Sequence, residues 1–170
     1  MVSVRSRVRL LLVALTALAC LPVGHVTAQR VDATQAVGPA ALKRIGTISI
    51  PKLGVTQPIF SGVTNNVFDR GVGYWPGTAL PGQEGNMVLG GHRTAGAHPF
   101  YDIQKLAVGD PILVTRAGRT YTYVVNGTKI VKPTATWILD QTPKGTLTLF
   151  SCHPRGTIRQ RYVVTASLQG

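Results

Sequence analysis

Cys152, in "TLTLFSCHPRGTIRQRYVV" (residues 146–164), is the side chain of this sequence best suited to making and breaking covalent bonds. The chain has two cysteines, and the other, Cys20, sits in an apolar leader, so Cys152 lacks an evident disulfide partner. A lone thiol in an oxidising compartment is open to oxidation. Two readings follow: a nucleophile, or a buried cysteine acting as a small hydrophobe. A nucleophilic thiol has an ordinary pKa of about 8.5 and needs a basic or cationic neighbour at neutral pH. The sequence offers four histidines. His25 belongs to the leader. His153 follows Cys152 directly, and consecutive strand side chains point apart. His98 sits in "AGAHPF", a loop before a proline. His92 closes "NMVLGGHR", an apolar strand ending in two glycines that permit close backbone approach, and it has the best geometry of the four. Arg155, Arg159 and Arg161 supply nearby positive charge. Arg159 and Arg161 lie two apart and share a strand face, so periodicity does not separate them.

These residues need a scaffold that brings distant segments together. From Arg44 onward the chain consists of short β-branched and aromatic runs punctuated by Gly and Pro: "GTISI", "TQPIF", "NMVLGG", "PILVT", "TYTYVV", "TWIL", "TLTLF" and "RYVVTASL". Eight short strands with frequent turn signals predict an all-β barrel or sandwich. "FYDIQKL" and "NNVFDR" are the candidate helical turns. In "TLTLFSC", Leu147 and Leu149 share one face, while Thr148, Phe150 and Cys152 share the other. With the leucines in the core, the thiol is displayed outward at the strand's end, and "HPRG" then breaks the strand.

The N-terminal residues "MVSVRSRVRLLLVALTALACLPVGHVTAQR" combine a basic start with an apolar run shorter than the roughly 20 residues of a comfortable membrane span. Residues 1–28 are therefore a signal peptide or an N-terminal membrane anchor. Lipidation of Cys20 is the third option, although "ALAC" lacks the usual leucine. All three place the remainder outside the cytoplasm. Residues 29–43 are a tether and residues 44–170 the domain. Losing Arg5, Arg7 and Arg9 takes the formal charge from +12 to +9. An exported basic surface suits an anionic envelope or membrane better than nucleic acid. Nothing in the sequence matches a P-loop or a dinucleotide fingerprint.

With these residues in place, the chain resembles the sortases, cysteine transpeptidases of Gram-positive cell envelopes, and is most like class E. The family's TLxTC motif appears as "TLFSC" (148–152), its "GHR" histidine as His92, and its strand-leading arginine as Arg161 in "RYVV". "IGTISIPKLGVTQPIFSG" is similar to the first two strands of the family's barrel. The likeness spans about residues 44–168 and implies a single closed eight-stranded sortase-type β-barrel with one or two short helices. It implies that Cys152, His92 and Arg161 are catalytic, and that Tyr74 and Ser151 border the bound substrate. Ser151 stands where the family usually has Thr, and the hydroxyl is kept.

The implied activity is cleavage of a C-terminal LAxTG- or LPxTG-type sorting signal between Thr and Gly. A thioacyl-enzyme forms, and the protein is then joined to an envelope amine, typically from a peptidoglycan precursor. No metal or organic cofactor is called for. Implied partners are secreted proteins bearing the signal and, for an uncleaved leader, the membrane. Competing readings are an L,D-transpeptidase, whose "SHGC" context is absent, and a zinc hydrolase drawn from His92, His98, Cys152 and His153. The latter lacks an H-E-x-x-H or paired C-x-x-C spacing. A non-catalytic envelope-binding barrel with an inert cysteine is the remaining alternative.

Overall fold

Two-residue alternation of β-branched and polar side chains folds the chain into eight strands: β1 (Arg44–Ile50), β2 (Val55–Ser61), β3 (Val72–Tyr74), β4 (Asn86–Gly90), β5 (Pro111–Arg116), β6 (Arg119–Val131), β7 (Thr146–His153) and β8 (Gln160–Leu168). The structure, a computed structural model, describes residues 41–170. The expected leader and most of the tether lie outside the described residues. No helix among the described residues is long and apolar enough to cross a membrane.

The strands close into one barrel in the order β1-β2-β3-β4-β7-β8-β6-β5, with β5 returning to β1. Two pairings are parallel, β2 with β3 and β4 with β7, and the others are antiparallel. The β5–β6 hairpin turns on Ala117 and Gly118, at φ 48° and 78°. Two consecutive positive φ values match the twist of the flanking strands. The barrel interior is apolar: Ile48, Ile59, Leu89, Ile112, Leu149 and Val164 are fully buried, with others of their type. Each such side chain contributes about 1.5–3 kcal/mol relative to exposure.

The fold class expected from sequence is the one found, a closed eight-stranded barrel with almost no helix. Its strand inventory differs by one exchange. "TWIL" is a 3₁₀ turn, Thr136–Leu139, with Trp137 half exposed. Four apolar residues between Pro133 and Pro143 carry no period, so tertiary packing decides their conformation. The place of that strand is taken by β3, three residues long with Gly73 at its centre, too short to signal itself. The helical turns materialise as α1 (Asn65–Phe68) and a 3₁₀ turn at Ile103–Lys105.

Three neighbouring strands matter for function: β4, β7 and β8. Leu147, Leu149 and Ser151 of β7 face the core, at 0%, 0% and 1% exposure. Phe150 and Cys152 therefore point the other way, as the alternation requires. Thr148 also points outward, yet it is buried. Its hydroxyl donates to Asn86 Oδ1 (2.8 Å), and the Asn86 amide holds the Ile138 and Asp140 carbonyls over that part of β7.

Candidate active site

β7 carries Cys152 directly opposite Arg161 of β8. Residues facing each other across antiparallel strands have Cβ atoms about 4.5–5.5 Å apart and side chains on one face. On the other side, β4 runs parallel to β7, with Gly90 beside Phe150, and the chain continues through Gly91 to His92. Gly91 N–H still donates to the Phe150 carbonyl at 3.2 Å. The glycines make this approach possible: a Cβ on Gly90 would lie 2.5 Å from the Phe150 ring. Three strand ends thus deliver an imidazole, a thiol and a guanidinium to one place.

That place is a cavity of about 370 Å³ lined by His92, Arg93, Ser151, Cys152, Ile158 and Arg161, among others. Phe68, Phe150 and Arg161 also border an adjoining apolar groove of about 310 Å³, closed by Trp75, Val63 and the 133–139 segment. Cys152 is a free, half-buried thiol. Arg161 is fixed by donating Nη1 to the Ile158 and Gln160 carbonyls, each at 3.0 Å. His92 is held between two residues of the α1 turn. Its Nε2 lies 3.2 Å from Asp69 Oδ1, and its ring meets Phe68 edge-on at 5.5 Å. The Asp69 carbonyl in turn accepts from Ala97 N–H (3.1 Å), which fixes the end of α1 against the loop after His92.

Ser151 lines the cavity, whereas Tyr74 lines neither the cavity nor the adjoining groove. Ser151 is 1% exposed and points inward from the cavity wall, where its hydroxyl donates to the Gly91 carbonyl at 2.8 Å. It joins the backbones just before Cys152 and just before His92. Tyr74 lies in the core at 7% exposure, its hydroxyl donating to the Thr78 carbonyl, away from the cavity. In a strand as short as β3, flanked on both sides, an aromatic residue is pulled inward by burial.

Of the other arginines, Arg159 is exposed. Arg155, also exposed, pairs with Asp102, donates Nε to the Tyr101 carbonyl (3.1 Å) and stacks over the Tyr101 ring. Asp102 is held below the ordinary carboxylate value, first by the hydrogen bond from Lys105. His98 turns its Nδ1 to the Gly96 carbonyl (2.8 Å). Among the described residues no group of three or more His, Cys, Asp or Glu side chains is placed to hold a metal ion, so the zinc grouping does not assemble.

Sequence reasoning missed Asp69 and Arg93. Asp69 gives no periodic signal and meets His92 only through the fold. Arg93 follows His92 and reads as a surface charge, yet it is 4% exposed. Its guanidinium reaches the Cys152 carbonyl at 3.3 Å and His153 Nδ1 at 2.9 Å. Burial, then the nearby Arg155, lowers the Arg93 pKa from its ordinary value. Burial, then Arg93, lowers that of His153.

The arrangement can support a thiol nucleophile flanked by a proton carrier and a fixed cation, with room beside it for an extended peptide. Known proteins are similar in both sequence and structure. The family model for the sortase domain matches residues 48–169. Sortase SrtE1 of Streptomyces coelicolor is 35% identical over 133 residues, 69% of this chain and 38% of that protein. Sortase D of Bacillus subtilis is 31% identical over 123 residues, 70% of this chain and 61% of that protein. The chain thus spans under two thirds of the length of these two relatives. Sortase A from Corynebacterium diphtheriae superposes with a TM-score of 0.72 at 32% identity, over 76% of this chain and 62% of that one. A Clostridium perfringens sortase D5 transpeptidase does so at 0.69 and 36%, over 75% and 79%. The likeness to SrtE1 agrees with the class E resemblance. Strand order, site placement and sequence likeness lead to one statement: this chain belongs to the sortase family.

Proposed function

We propose that the protein is an extracytoplasmic cysteine transpeptidase that cleaves a C-terminal LAxTG- or LPxTG-type sorting signal between Thr and Gly and joins the new C-terminus to an envelope amine. The observation that carries this reading is the shared cavity of Cys152, His92 and Arg161, continuous with an apolar groove through Phe68, Phe150 and Arg161. The groove takes the apolar part of the signal and lays its Thr carbonyl at the sulfur.

In the first step the Cys152 thiolate adds to the Thr carbonyl carbon. The carbonyl oxygen becomes an oxyanion, and the Arg161 guanidinium offers it a fixed charge and N–H donors. His92 as imidazolium gives its proton to the glycine nitrogen, the C–N bond breaks, and a thioester remains on Cys152. With Nε2 turned to Asp69, Nδ1 is the nitrogen that carries this proton. Asp69 is thus a positioning residue, the third group that orients a nucleophile's base. In the second step an envelope amine attacks the thioester, neutral His92 accepts its proton, and the thiolate leaves. Substrates are secreted proteins bearing the signal, and the N-terminal segment either anchors the enzyme at the outer face of the cytoplasmic membrane or is removed as a signal, leaving it secreted to the cell envelope.

The test is to mix the protein with LAxTG and LPxTG peptides and a glycine amine, and to read the products by mass spectrometry. A peptide joined to the amine at Thr supports the proposal. No product with either peptide, together with a Cys152 that reacts no faster than a free cysteine peptide, favours a non-catalytic binding module.

A further inference from the structure

β4 stops one step too early for β7. Gly91 N–H donates to the Phe150 carbonyl, and carbonyls on one edge of a strand recur every second residue. The next on that edge belongs to Cys152. The chain has by then turned away at His92, and the Cys152 carbonyl instead accepts from Arg93 Nη1 at 3.3 Å. The same nitrogen has a second hydrogen, directed at His153 Nδ1, 2.9 Å away. A guanidinium has only donors, so this contact requires a bare lone pair on Nδ1. His153 must be neutral, with its proton on Nε2. Arg93 also donates Nε to the Tyr101 carbonyl (3.3 Å) and Nη2 to Gln104 Oε1, and lies 5.7 Å from the Tyr162 ring centre. Among the described residues no carboxylate hydrogen-bonds to it directly. Asp102 is reached only through Gln104 and Arg155.

We infer that Arg93 is a positioning residue that holds the main chain of Cys152 in place of a missing strand neighbour, and that it does so only while His153 is neutral. Protonating His153 turns its Nδ1 into a donor facing a donor. The two cations then repel, Nη1 is displaced, and the Cys152 carbonyl loses its partner. Among the described residues, the charged and titratable groups around His153 and its partner are Arg93 after β4, Tyr162 on β8, the neighbouring Cys152 thiol, and Arg155 and Asp102 beyond Arg93. The arrangement therefore has a direction in pH. Because burial and Arg93 hold the His153 pKa below 6.5, the neutral form and the hold on Cys152 are present above that value. They are lost as pH falls through the lowered one.

The inference rests on Cys152 being the nucleophile. It is tested on the full chain in mild detergent, comparing wild type, H153Q, R93K and the double variant from pH 5 to 7.5. One readout is single-turnover acylation by an LAxTG peptide; the other is the rate of iodoacetamide alkylation mapped to Cys152 by mass spectrometry. Glutamine offers an acceptor that does not titrate. The ratio of H153Q to wild-type rates should rise as pH falls below 6.5, with titrations common to both cancelling. Lysine cannot bridge two acceptors in a fixed plane, so R93K should lower acylation kcat at least ten-fold at pH 7.5 with KM within about two-fold. In that background H153Q should no longer alter the pH dependence. A flat ratio, or R93K acylating at the wild-type rate, overturns the inference. Should R93K fail to fold, the H153Q ratio decides alone. If the wild type is not acylated at all, the transpeptidase reading fails, while the alkylation ratio still tests the hold on Cys152.

Discussion

Removing the Ser151 hydroxyl should weaken the link between the two strands that carry the thiol and the imidazole. Ser151 Oγ is the donor to the Gly91 carbonyl among the described residues, at 2.8 Å and 1% exposure. S151A leaves a buried acceptor unsatisfied, which costs about 2 kcal/mol. For a domain of about 130 residues the unfolding entropy is roughly 0.27 kcal/mol/K, so Tm should fall by about 7 °C. S151T and S151V separate the causes, because they have nearly the same shape and only Thr keeps the donor. S151T should stay within about 1 kcal/mol of wild type, while S151V should lose at least as much as S151A. Urea and thermal unfolding give the stabilities, and peptide cleavage gives kcat, expected to drop about ten-fold in S151A and S151V. Equal stability of S151T and S151V would refute the reasoning, since the hydrogen bond would then carry no weight.

R161K should lower kcat about 10²–10³-fold with little change in KM, as loss of an oxyanion donor does. R159A should stay within two-fold, and the reverse pattern in peptide-cleavage kinetics would move the oxyanion role to Arg159. D69A should reduce kcat/KM about ten-fold by freeing the imidazole, and D69N, which keeps an acceptor, should lose less. In a C152A background the ¹⁵N shifts of His92 should move from Nε2–H toward a mixed tautomer in D69A. Asp110 is held below 3.8, first by the hydrogen bond from Lys52 at 2.7 Å. A lowered carboxylate pKa contributes stability that is present above 3.8 and lost as pH falls through the folded value. D110N should therefore melt below wild type at neutral pH, with the two melting curves converging as pH drops well under 3.8.

What the sequence made legible depended on local periodicity. The alternation of "TLTLFSC" put Leu147 and Leu149 inside and Cys152 outside, and the two glycines before His92 marked a close backbone approach. Four apolar residues without a period could not reveal whether 136–139 is strand or turn. Three residues around Gly73 could not announce a strand. Arg93 and Asp69 were illegible for a different reason. An arginine is normally solvated, and Arg93 is enclosed by partners on distant segments, the Cys152 and Tyr101 carbonyls, Gln104 and the Tyr162 ring, that only the fold assembles. Asp69 finds His92 across the barrel rim through contacts between distant segments. Tyr74, which the family likeness placed beside the substrate, has its ring in the core at 7% exposure.

The most direct measurement is the intact mass of the protein quenched in acid during turnover of an LAxTG peptide. The account predicts a thioester adduct equal to the peptide up to and including Thr, mapped to Cys152, discharged by added glycine amine and absent in C152A. An adduct on another residue, or product formed by C152A at the wild-type rate, would contradict it.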